Sequence, residues 1–306
     1  MTTRKVAAVI GGSGFLGRHV VRRLAEDGYV VRVAARRADR AASLRPLGDV
    51  GQIVPLGASI LNPESLVPVV EGARVVVNLV GILAERGRAT FQAVHVEGAA
   101  AVARLAASAG VAQLVHVSAI GASPDSRSAY GRSKAAGEDA VLRAMPEATI
   151  VRPSILFGAE DHFTNLFATL ARFSPIVPVY GARTRLQPVY VADVAEGIRR
   201  LLAGGYAGTI FEFGGPAIRT MEEIARLVVA AVGRRRLVVA VPPALAWWQA
   251  MWLERLPGKM LTRDQLAMLS SDNVAADGAP GLQQLGIQPA SMEMIVPSYL
   301  ARYKIT

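Results

Sequence analysis

The sequence predicts an α/β fold: a doubly wound parallel sheet, with a smaller lobe that follows it and is partly interleaved with it. In the first half, apolar strands alternate regularly with helices, which is typical of a parallel sheet covered on both faces. After Pro153 the rhythm loosens, and prolines and glycines interrupt it. We therefore expect two domains, residues 1–152 and 153–306. Six strands are expected in the first, at 6–10, 29–35, 52–56, 74–80, 112–118 and 149–152.

A glycine turn directly follows the first of these strands. Glycines 11, 14 and 17 are spaced three apart between the strand and a helix expected at 15–27. One glycine permits the turn, one lets a diphosphate approach the backbone, and one lets the helix pack on the sheet. The alternative is an ordinary strand-to-helix turn. The residues expected to contact a dinucleotide here are Gly11, Ser13, Gly14, Phe15, Leu16 and Gly17.

The end of the second strand indicates which dinucleotide is bound. A site for NAD(H) usually carries an acidic residue about twenty positions after the glycines, where it holds the ribose hydroxyl. This chain has Arg36 and Arg37 there. Because a guanidinium pairs well with a phosphate, the sequence favours NADP(H) over NAD(H). The alternative is that both arginines belong to a solvated basic rim.

Three polar side chains form a candidate catalytic set. Ser118 ends the fifth strand, and Tyr130 and Lys134 follow on the next helix. Tyrosine and lysine four positions apart share one helix face. An ammonium group beside a phenol is expected to lower the phenol pKa, so that the tyrosine can exchange a proton with a hydroxyl or carbonyl. Ser118 would hold the same oxygen. The alternative is that these are ordinary surface residues.

These motifs resemble the extended or atypical branch of the short-chain dehydrogenase/reductase superfamily, which is built on a Rossmann sheet. The resemblance covers the glycine turn, the candidate catalytic set and the segments 78–81 and 152–155. It implies that the cofactor also contacts Tyr130 and Lys134. It further implies that the segments beside the nicotinamide contribute Leu79, Val80, Gly81, Pro153 and Ile155.

A closer resemblance runs over nearly the whole chain and is carried by the segments 91–98, 117–122, 187–195, 269–273 and 297–303. In these segments the chain resembles bacterial relatives of the nucleotide-binding accessory subunit of respiratory complex I. That resemblance implies bound NADP(H), complex I subunits as partners, and a place near membrane quinone chemistry. The alternative is a working NADPH-dependent reductase of a small apolar carbonyl compound; a third, weaker interpretation is an epimerase or dehydratase of nucleotide sugars.

Two positions depart from the pattern of the extended branch. His95 stands where many members carry an asparagine that shapes the proton relay of the lysine. An imidazole can also relay protons, but we favour a packed helix residue. At the end of the third strand, where members of this branch usually carry an aspartate that touches the adenine, this chain has residues 57–59. Ser59 is the candidate replacement for that aspartate. Both departures leave nucleotide binding in place and weaken the expectation of efficient catalysis.

All three tryptophans of the chain lie within six residues, after Pro243, which suits the first position of a helix. Basic residues beside an aromatic, apolar helix are typical of binding to an anionic membrane surface. The alternatives are a helix packed inside the second lobe and a helix that docks on a partner subunit. The residues concerned are Trp247, Trp248 and Trp252, with Arg234, Arg235 and Arg236 upstream.

Composition limits the remaining possibilities. Hydrophobic residues make up 52% of the 306 residues, and the mean hydropathy of +0.32 supports a sizeable core. The chain has no cysteine, which excludes disulfides and thiol chemistry, and no ligand spacing indicates a metal site. The net charge of +10 indicates attraction to anions, but no nucleic-acid-binding motif accompanies it. Without a convincing signal peptide or membrane span, we expect a cytoplasmic protein, peripheral at the inner face of the membrane.

Overall fold

A computed structural model describes residues 5–256 and 261–304. Its centre is a parallel sheet of seven strands in the order β11-β6-β5-β4-β1-β2-β3. This order confirms the doubly wound sheet that the strand–helix alternation predicts. The strands are β1 (Val6–Ile10), β2 (Val30–Ala35), β3 (Ile53–Gly57), β4 (Val75–Asn78), β5 (Gln113–Val117), β6 (Thr149–Pro153), β7 (Leu156–Phe157), β8 (Ile176–Val179), β9 (Arg185–Leu186), β10 (Val189–Tyr190), β11 (Ile210–Phe213), β12 (Arg219–Thr220) and β13 (Leu237–Ala240).

Helices cover both faces of the sheet and build most of the second lobe. A π-helical stretch, Gln92–Gly98, leads directly into the fourth α-helix. Such stretches are rare and occur often at functional sites. The α-helices are α1 (Phe15–Glu26), α2 (Ala38–Ala41), α3 (Val67–Val70), α4 (Ala99–Ser108), α5 (Ala129–Ala144), α6 (Thr164–Phe173), α7 (Val191–Leu201), α8 (Met221–Ala231), α9 (Pro243–Leu253), α10 (Arg263–Met268) and α11 (Met292–Leu300).

Helices bury both faces of the large sheet. Because successive side chains of a strand point to opposite faces, each central strand contributes to two buried clusters. Val9 and Val33 pack into one buried cluster with α1 and α7. Ala8 and Val76 pack into the other, beneath α4. Because the seven strands of this sheet are parallel, their carboxyl ends lie at one edge, where ligands bind in sheets of this kind.

The second half of the chain contributes to both parts of the molecule. β11 pairs with β6 and extends the large sheet, and α7 packs against α1. A separate buried cluster, which includes Phe157, Val177 and Ile224, forms the core of the smaller lobe. Three two-stranded sheets, β10-β7, β12-β9 and β13-β8, accompany it. None of the helices in the described ranges combines the length and apolarity needed to cross a bilayer.

Candidate functional site

The glycine turn between β1 and α1 has the geometry that its spacing predicts. Gly11 has a φ of +83°, in the left-handed region that favours glycine. A Cβ on Gly17 would lie 2.5 Å from the carbonyl oxygen of Gly11 and 2.6 Å from the backbone of Gly12. No side chain fits at that distance, so glycine allows the helix to begin this close to the strand.

The start of α1 is suited to an anion. Gly14 is the N-cap, forms no side-chain cap bond, and is followed by a first turn without acidic residues. The N–H groups of this turn and the positive end of the helix dipole therefore lack an acidic counterpart from the helix itself. A diphosphate supplies both the hydrogen-bond acceptors and the negative charge. Ser13 and Phe15 are half-buried beside the turn, whereas the side chain of Leu16 points into the core and leaves only its backbone at the site.

The two arginines after β2 differ in their partners. Both are exposed, but the Arg37 guanidinium forms an ion pair with Asp39 at 2.6 Å. Arg36 has no ion-pair partner among the residues that the structure describes. Arg36 is therefore the better placed of the two to bind a phosphate. Asp39, the partner of Arg37, is an acidic residue that the sequence pattern did not single out.

A short loop after β4 is held beside the glycine turn. A Cβ on Gly11 would lie 3.1 Å from Cγ2 of Val80, which places this loop, 79–81, directly against the turn. The N–H of Val80 donates to the side-chain oxygen of Asn78 at 3.2 Å. The N–H of Ile82 donates to Nε2 of His95 at 3.0 Å. The predicted contacts Leu79, Val80 and Gly81 thus lie beside the glycine turn, at the carboxyl end of β4.

The segment after β6 lies next to the end of β5. The N–H of Ser118 donates to the carbonyl oxygen of Val151 at 2.7 Å, and that of Ile120 to Pro153 at 3.0 Å. Pro153 is buried and Ile155 half-buried. These backbone hydrogen bonds place the segment from Pro153 to Ile155 next to the strand end that carries Ser118.

Ser118, Tyr130 and Lys134 occupy the positions that the sequence predicts, at the end of β5 and in the first two turns of α5. The ammonium group of Lys134 donates to the carbonyl oxygen of Val117 at 2.8 Å, which holds the lysine beside Ser118. The Ser118 hydroxyl is buried and has no hydrogen-bond partner among the described residues. A buried hydroxyl without a partner is costly, and a ligand oxygen at this point would satisfy it.

Burial, rather than the neighbouring ammonium group, dominates the ionisation of the candidate catalytic set. It raises the pKa of Tyr130 to about 12 and lowers the pKa of Lys134 to about 8. The expectation that Lys134 lowers the tyrosine pKa is therefore wrong for this structure. The physical reason is that desolvation disfavours the charged form of both groups, the phenolate and the ammonium ion.

His95 is a neutral residue that orients the first turn of α5. Burial, with the nearby charge of Lys134, lowers its pKa to about 3. Its Nε2 accepts the N–H of Ile82, so the ring proton sits on Nδ1 and is donated to Ser133 Oγ at 2.8 Å. Ser133 in turn donates to the carbonyl oxygen of Tyr130 at 2.7 Å. The favoured interpretation, a packed helix residue, agrees with this burial, and the hydrogen bonds add a positioning role.

Two residues of the second lobe tie it to the site, and neither was among the candidates taken from the sequence. Asn273 donates to the carbonyl oxygen of Ile120 at 2.9 Å and accepts from the Ser154 hydroxyl at 2.6 Å, thereby joining the segment after β5 to the segment after β6. Asp264 accepts hydrogen bonds from the backbone at the start of α5. Asn273 lies in the segment 269–273 that carries the family resemblance, and that signal pointed to it. No sequence signal pointed to Asp264.

The tryptophan helix, α9, is not a core element. Its three tryptophans are 51%, 56% and 55% exposed, whereas Ala246 and Ala250 on the same helix are buried. The alternative of a helix packed inside the second lobe with its tryptophans buried is therefore wrong. Upstream, Arg235 is exposed and Arg234 and Arg236 are half-buried, with Nε of Arg236 bound to the carbonyl oxygen of Ala171.

Comparison with known proteins now places the chain. The NAD dependent epimerase/dehydratase family matches residues 7–214, which is more than half of the chain. The chain belongs to this family. Membership confirms the resemblance to extended short-chain dehydrogenases and reductases and, with the glycine turn, supports a nicotinamide dinucleotide as the class of cofactor.

Two relatives and one solved structure are similar to the chain. The mitochondrial NADH dehydrogenase (ubiquinone) 1 alpha subcomplex subunit 9 of Rattus norvegicus is 35% identical over 309 residues, covering 98% of this chain and 80% of the subunit. A ceramide reductase of Caulobacter vibrioides is 38% identical over 192 residues, covering 63% of this chain and 59% of the reductase. The NADPH-dependent quinone oxidoreductase QOR2 of Escherichia coli, solved with NADPH, superimposes with a TM-score of 0.77 at 17% identity, over 97% of this chain and 100% of that one. The last likeness shows a shared fold.

Proposed function

We propose that this family member binds NADP(H) across its glycine turn and serves as a peripheral accessory subunit of respiratory complex I, at the inner face of the cytoplasmic membrane. The observation that carries the nucleotide half is the turn itself, where a Cβ on Gly17 would overlap the backbone. The likeness to the rat subunit over nearly the whole chain supports the complex I half. In this role the nucleotide is held without turnover.

The crevice at the strand ends supplies the nucleotide contacts. The N–H groups of Ser13, Phe15 and Leu16 bind the diphosphate, since that of Gly14 already donates to the carbonyl oxygen of Gly11 at 3.0 Å, and Arg36 binds the phosphate that distinguishes NADP(H). The loop 79–81 and the segment from Pro153 to Ile155 flank the nicotinamide, with Tyr130 and Lys134 beside its ribose. Arg37 contributes less, because Asp39 already neutralises its charge.

A titration with both nucleotides tests the choice of cofactor. We expect wild-type protein to bind NADPH at least about tenfold more tightly than NADH, since a charge-assisted pair contributes about 1.5–3 kcal/mol. Arg36→Gln should remove this preference and leave NADH binding unchanged. Arg45→Gln, which changes another exposed arginine of the same region, is the control. Wild-type protein that prefers NADH would contradict the role of Arg36.

The exposed face of the second lobe supports a membrane position. Next to the arginine run, β13 pairs with β8 so that Leu237 lies beside Ile176, and these side chains are 62% and 47% exposed. α9 follows directly and adds its three half-exposed tryptophans. An exposed apolar surface rimmed by basic residues is typical of interfacial binding. We therefore assign the tryptophan helix, and Arg234, Arg235 and Arg236, to an anionic membrane surface.

Affinity purification from solubilised membranes tests the partner. We expect the tagged wild-type protein to retain complex I subunits, identified by mass spectrometry, and the tagged Gly17→Ala protein to retain fewer of them, because nucleotide binding shapes the folded subunit. An unrelated tagged family member of the same cell is the control. Absence of complex I subunits from the wild-type sample would contradict the accessory role.

A second candidate function is supported by the intact candidate catalytic set. The ceramide reductase relative and the unpartnered Ser118 hydroxyl favour reduction of an apolar carbonyl compound. When bound, a reduced nicotinamide supplies the hydride. Ser118 would then hold the carbonyl oxygen, and Tyr130 would donate its phenolic proton to that oxygen, which leaves an alcohol.

Two substitutions separate the two functions. Tyr130→Phe removes the proton donor but keeps the ring that packs on His95. In the accessory role this protein binds NADPH and complex I as wild type does. In the reductase role it binds NADPH and loses oxidation of NADPH with long-chain ketones by at least about 100-fold. Ser118→Ala serves as the second variant, with the same two outcomes.

A further inference from the structure

The first turn of α5, which carries Tyr130, is capped by a residue far away in the sequence. The carboxylate of Asp264, in α10, accepts the N–H of Ala129 at 2.6 Å and the N–H of Tyr130 at 3.1 Å. The next amide, that of Gly131, donates to the Ser128 hydroxyl at 2.9 Å. The first three N–H groups of the helix are therefore satisfied, two of them by one carboxylate of the second lobe.

This cap acts where the position of Tyr130 is decided. Helix-start N–H groups have no partner within their own helix, and a carboxylate there also interacts favourably with the helix dipole. On the other side, the carbonyl oxygen of Tyr130 accepts from Ser133, which is held by His95. The backbone of Tyr130 is thus fixed at both its N–H and its C=O, and Asp264 supplies the first of these contacts.

The residue before Asp264 faces the other way, towards the tryptophan helix. The Arg263 guanidinium forms an ion pair with Glu254, at the end of α9, at 2.6 Å, and its N–H donates to the same carboxylate at 3.2 Å. The guanidinium also lies 5.9 Å from the ring centre of Trp247. A reciprocal cap between Thr262 and Gln265 fixes the start of α10. Two consecutive residues therefore connect α9 to the start of α5.

We propose that Asp264 is a positioning residue for Tyr130, and that the pair Arg263–Asp264 couples the tryptophan helix to the site at the strand ends. Anything that binds α9 then changes the order of the first turn of α5, and anything that orders that turn changes α9 by the same free energy. The pair of contacts stands on its own; only the identity of the two ligands, a nucleotide and a membrane or subunit surface, rests on the proposed function.

Amide hydrogen exchange in the protein without ligands tests the coupling. We expect Asp264→Asn to speed exchange at residues 129–131 by about fivefold, because the amide keeps one acceptor oxygen but presents N–H groups where the second carboxylate oxygen accepted a backbone N–H. Among the described residues Arg263 forms no hydrogen bond or ion pair with α5, yet Arg263→Gln should speed exchange of the same amides at least about threefold, because α10 loses its ion pair with the end of α9. A cap with a purely local structural role would respond to Asp264→Asn alone.

Two matched variants control this experiment. Asp277→Asn changes an exposed aspartate of the same lobe, and Arg226→Gln breaks an exposed ion pair with Glu222 on α8. Both should leave exchange at 129–131 within about twofold of wild type. If Asp264→Asn does not fold, Arg263→Gln decides alone. Unchanged exchange at 129–131 in folded Arg263→Gln, or in folded Asp264→Asn, overturns the proposal.

A second measurement follows the coupling from the site at the strand ends to the tryptophan helix. In wild-type protein, saturating NADPH should slow exchange within α9 at least about twofold, and Asp264→Asn at saturating NADPH should lose this effect. NADPH that binds wild type and leaves α9 unchanged overturns the coupling. NADPH that fails to bind contradicts the proposed function instead, and the ligand-free experiment then decides the coupling.

Discussion

The glycine turn and the tryptophan helix use the chain in opposite ways. At the turn the backbone forms the site, and the glycines matter because their missing side chains leave room for it. On α9 the side chains form the surface, and they matter because about half of each tryptophan remains exposed. The glycine spacing is compatible with one backbone geometry, whereas an aromatic helix can be buried, bind a membrane or dock on a partner. A backbone site is therefore predictable from spacing, and an aromatic surface needs a structure before its use can be inferred.

The largest expected effect is at the turn. Gly17→Ala places a Cβ within 2.5 Å of the Gly11 carbonyl oxygen, so the turn and α1 must move apart. We expect NADPH affinity, measured by calorimetry, to fall at least about 100-fold, equivalent to about 3 kcal/mol. The control is Gly110→Ala, at a glycine with a φ of +64° where an added Cβ would meet no atom within 4 Å. It loses stability but should keep its affinity. Equal affinities in both variants would contradict the backbone site.

The pKa of Lys134 depends on how strongly the interior beside Val117 excludes water. Its pKa is lowered to about 8, from 10.5 in the unfolded chain, so between these values the folded protein binds fewer protons than the unfolded one. The free energy of unfolding should therefore rise with pH across this window, by about 2 kcal/mol between pH 8 and pH 10. Lys134→Met should lack this rise in urea unfolding. Parallel pH profiles for the two proteins would show that the lysine is solvated.

The smallest effect concerns α9 and should leave the turn untouched. If Trp248 and Trp252 each bury about 50 Å² in the membrane interface, the two together contribute roughly 2.5 kcal/mol. Trp248→Ala with Trp252→Ala should therefore lower flotation with phosphatidylglycerol vesicles at least about 30-fold while NADPH affinity stays within about fivefold. Met294→Ala, at a side chain that is 71% exposed on α11, is the control. Equal flotation of the double variant and wild type would remove the membrane assignment and leave docking on a protein partner.

The sequence predicts much of the fold and the sequence-local part of the site. The alternation of strands and helices, the three glycines and the Tyr130–Lys134 spacing all act over short distances, so their geometry follows from local rules. The ionisation of Tyr130 does not, because its pKa depends on burial by several elements. Asp264 lies 134 positions from Tyr130 and belongs to a short helix of ordinary composition. Only the packing of the second lobe shows that it caps α5.

The exposure of the tryptophans is the other feature that sequence could not decide. Large apolar side chains are usually buried, and a cluster of them after a proline fits a packed helix equally well. In the structure the small residues Ala246 and Ala250 face inward, and the large ones face outward. That inversion is visible only when the inward face of α9 is known.

Calorimetric titration of the folded wild-type protein with NADPH and NADH tests the central claim most directly. A nicotinamide dinucleotide held by the main-chain amides of the glycine turn predicts a single binding site, tighter for NADPH, that Gly17→Ala weakens at least about 100-fold. Folded wild-type protein that binds neither nucleotide would contradict the account.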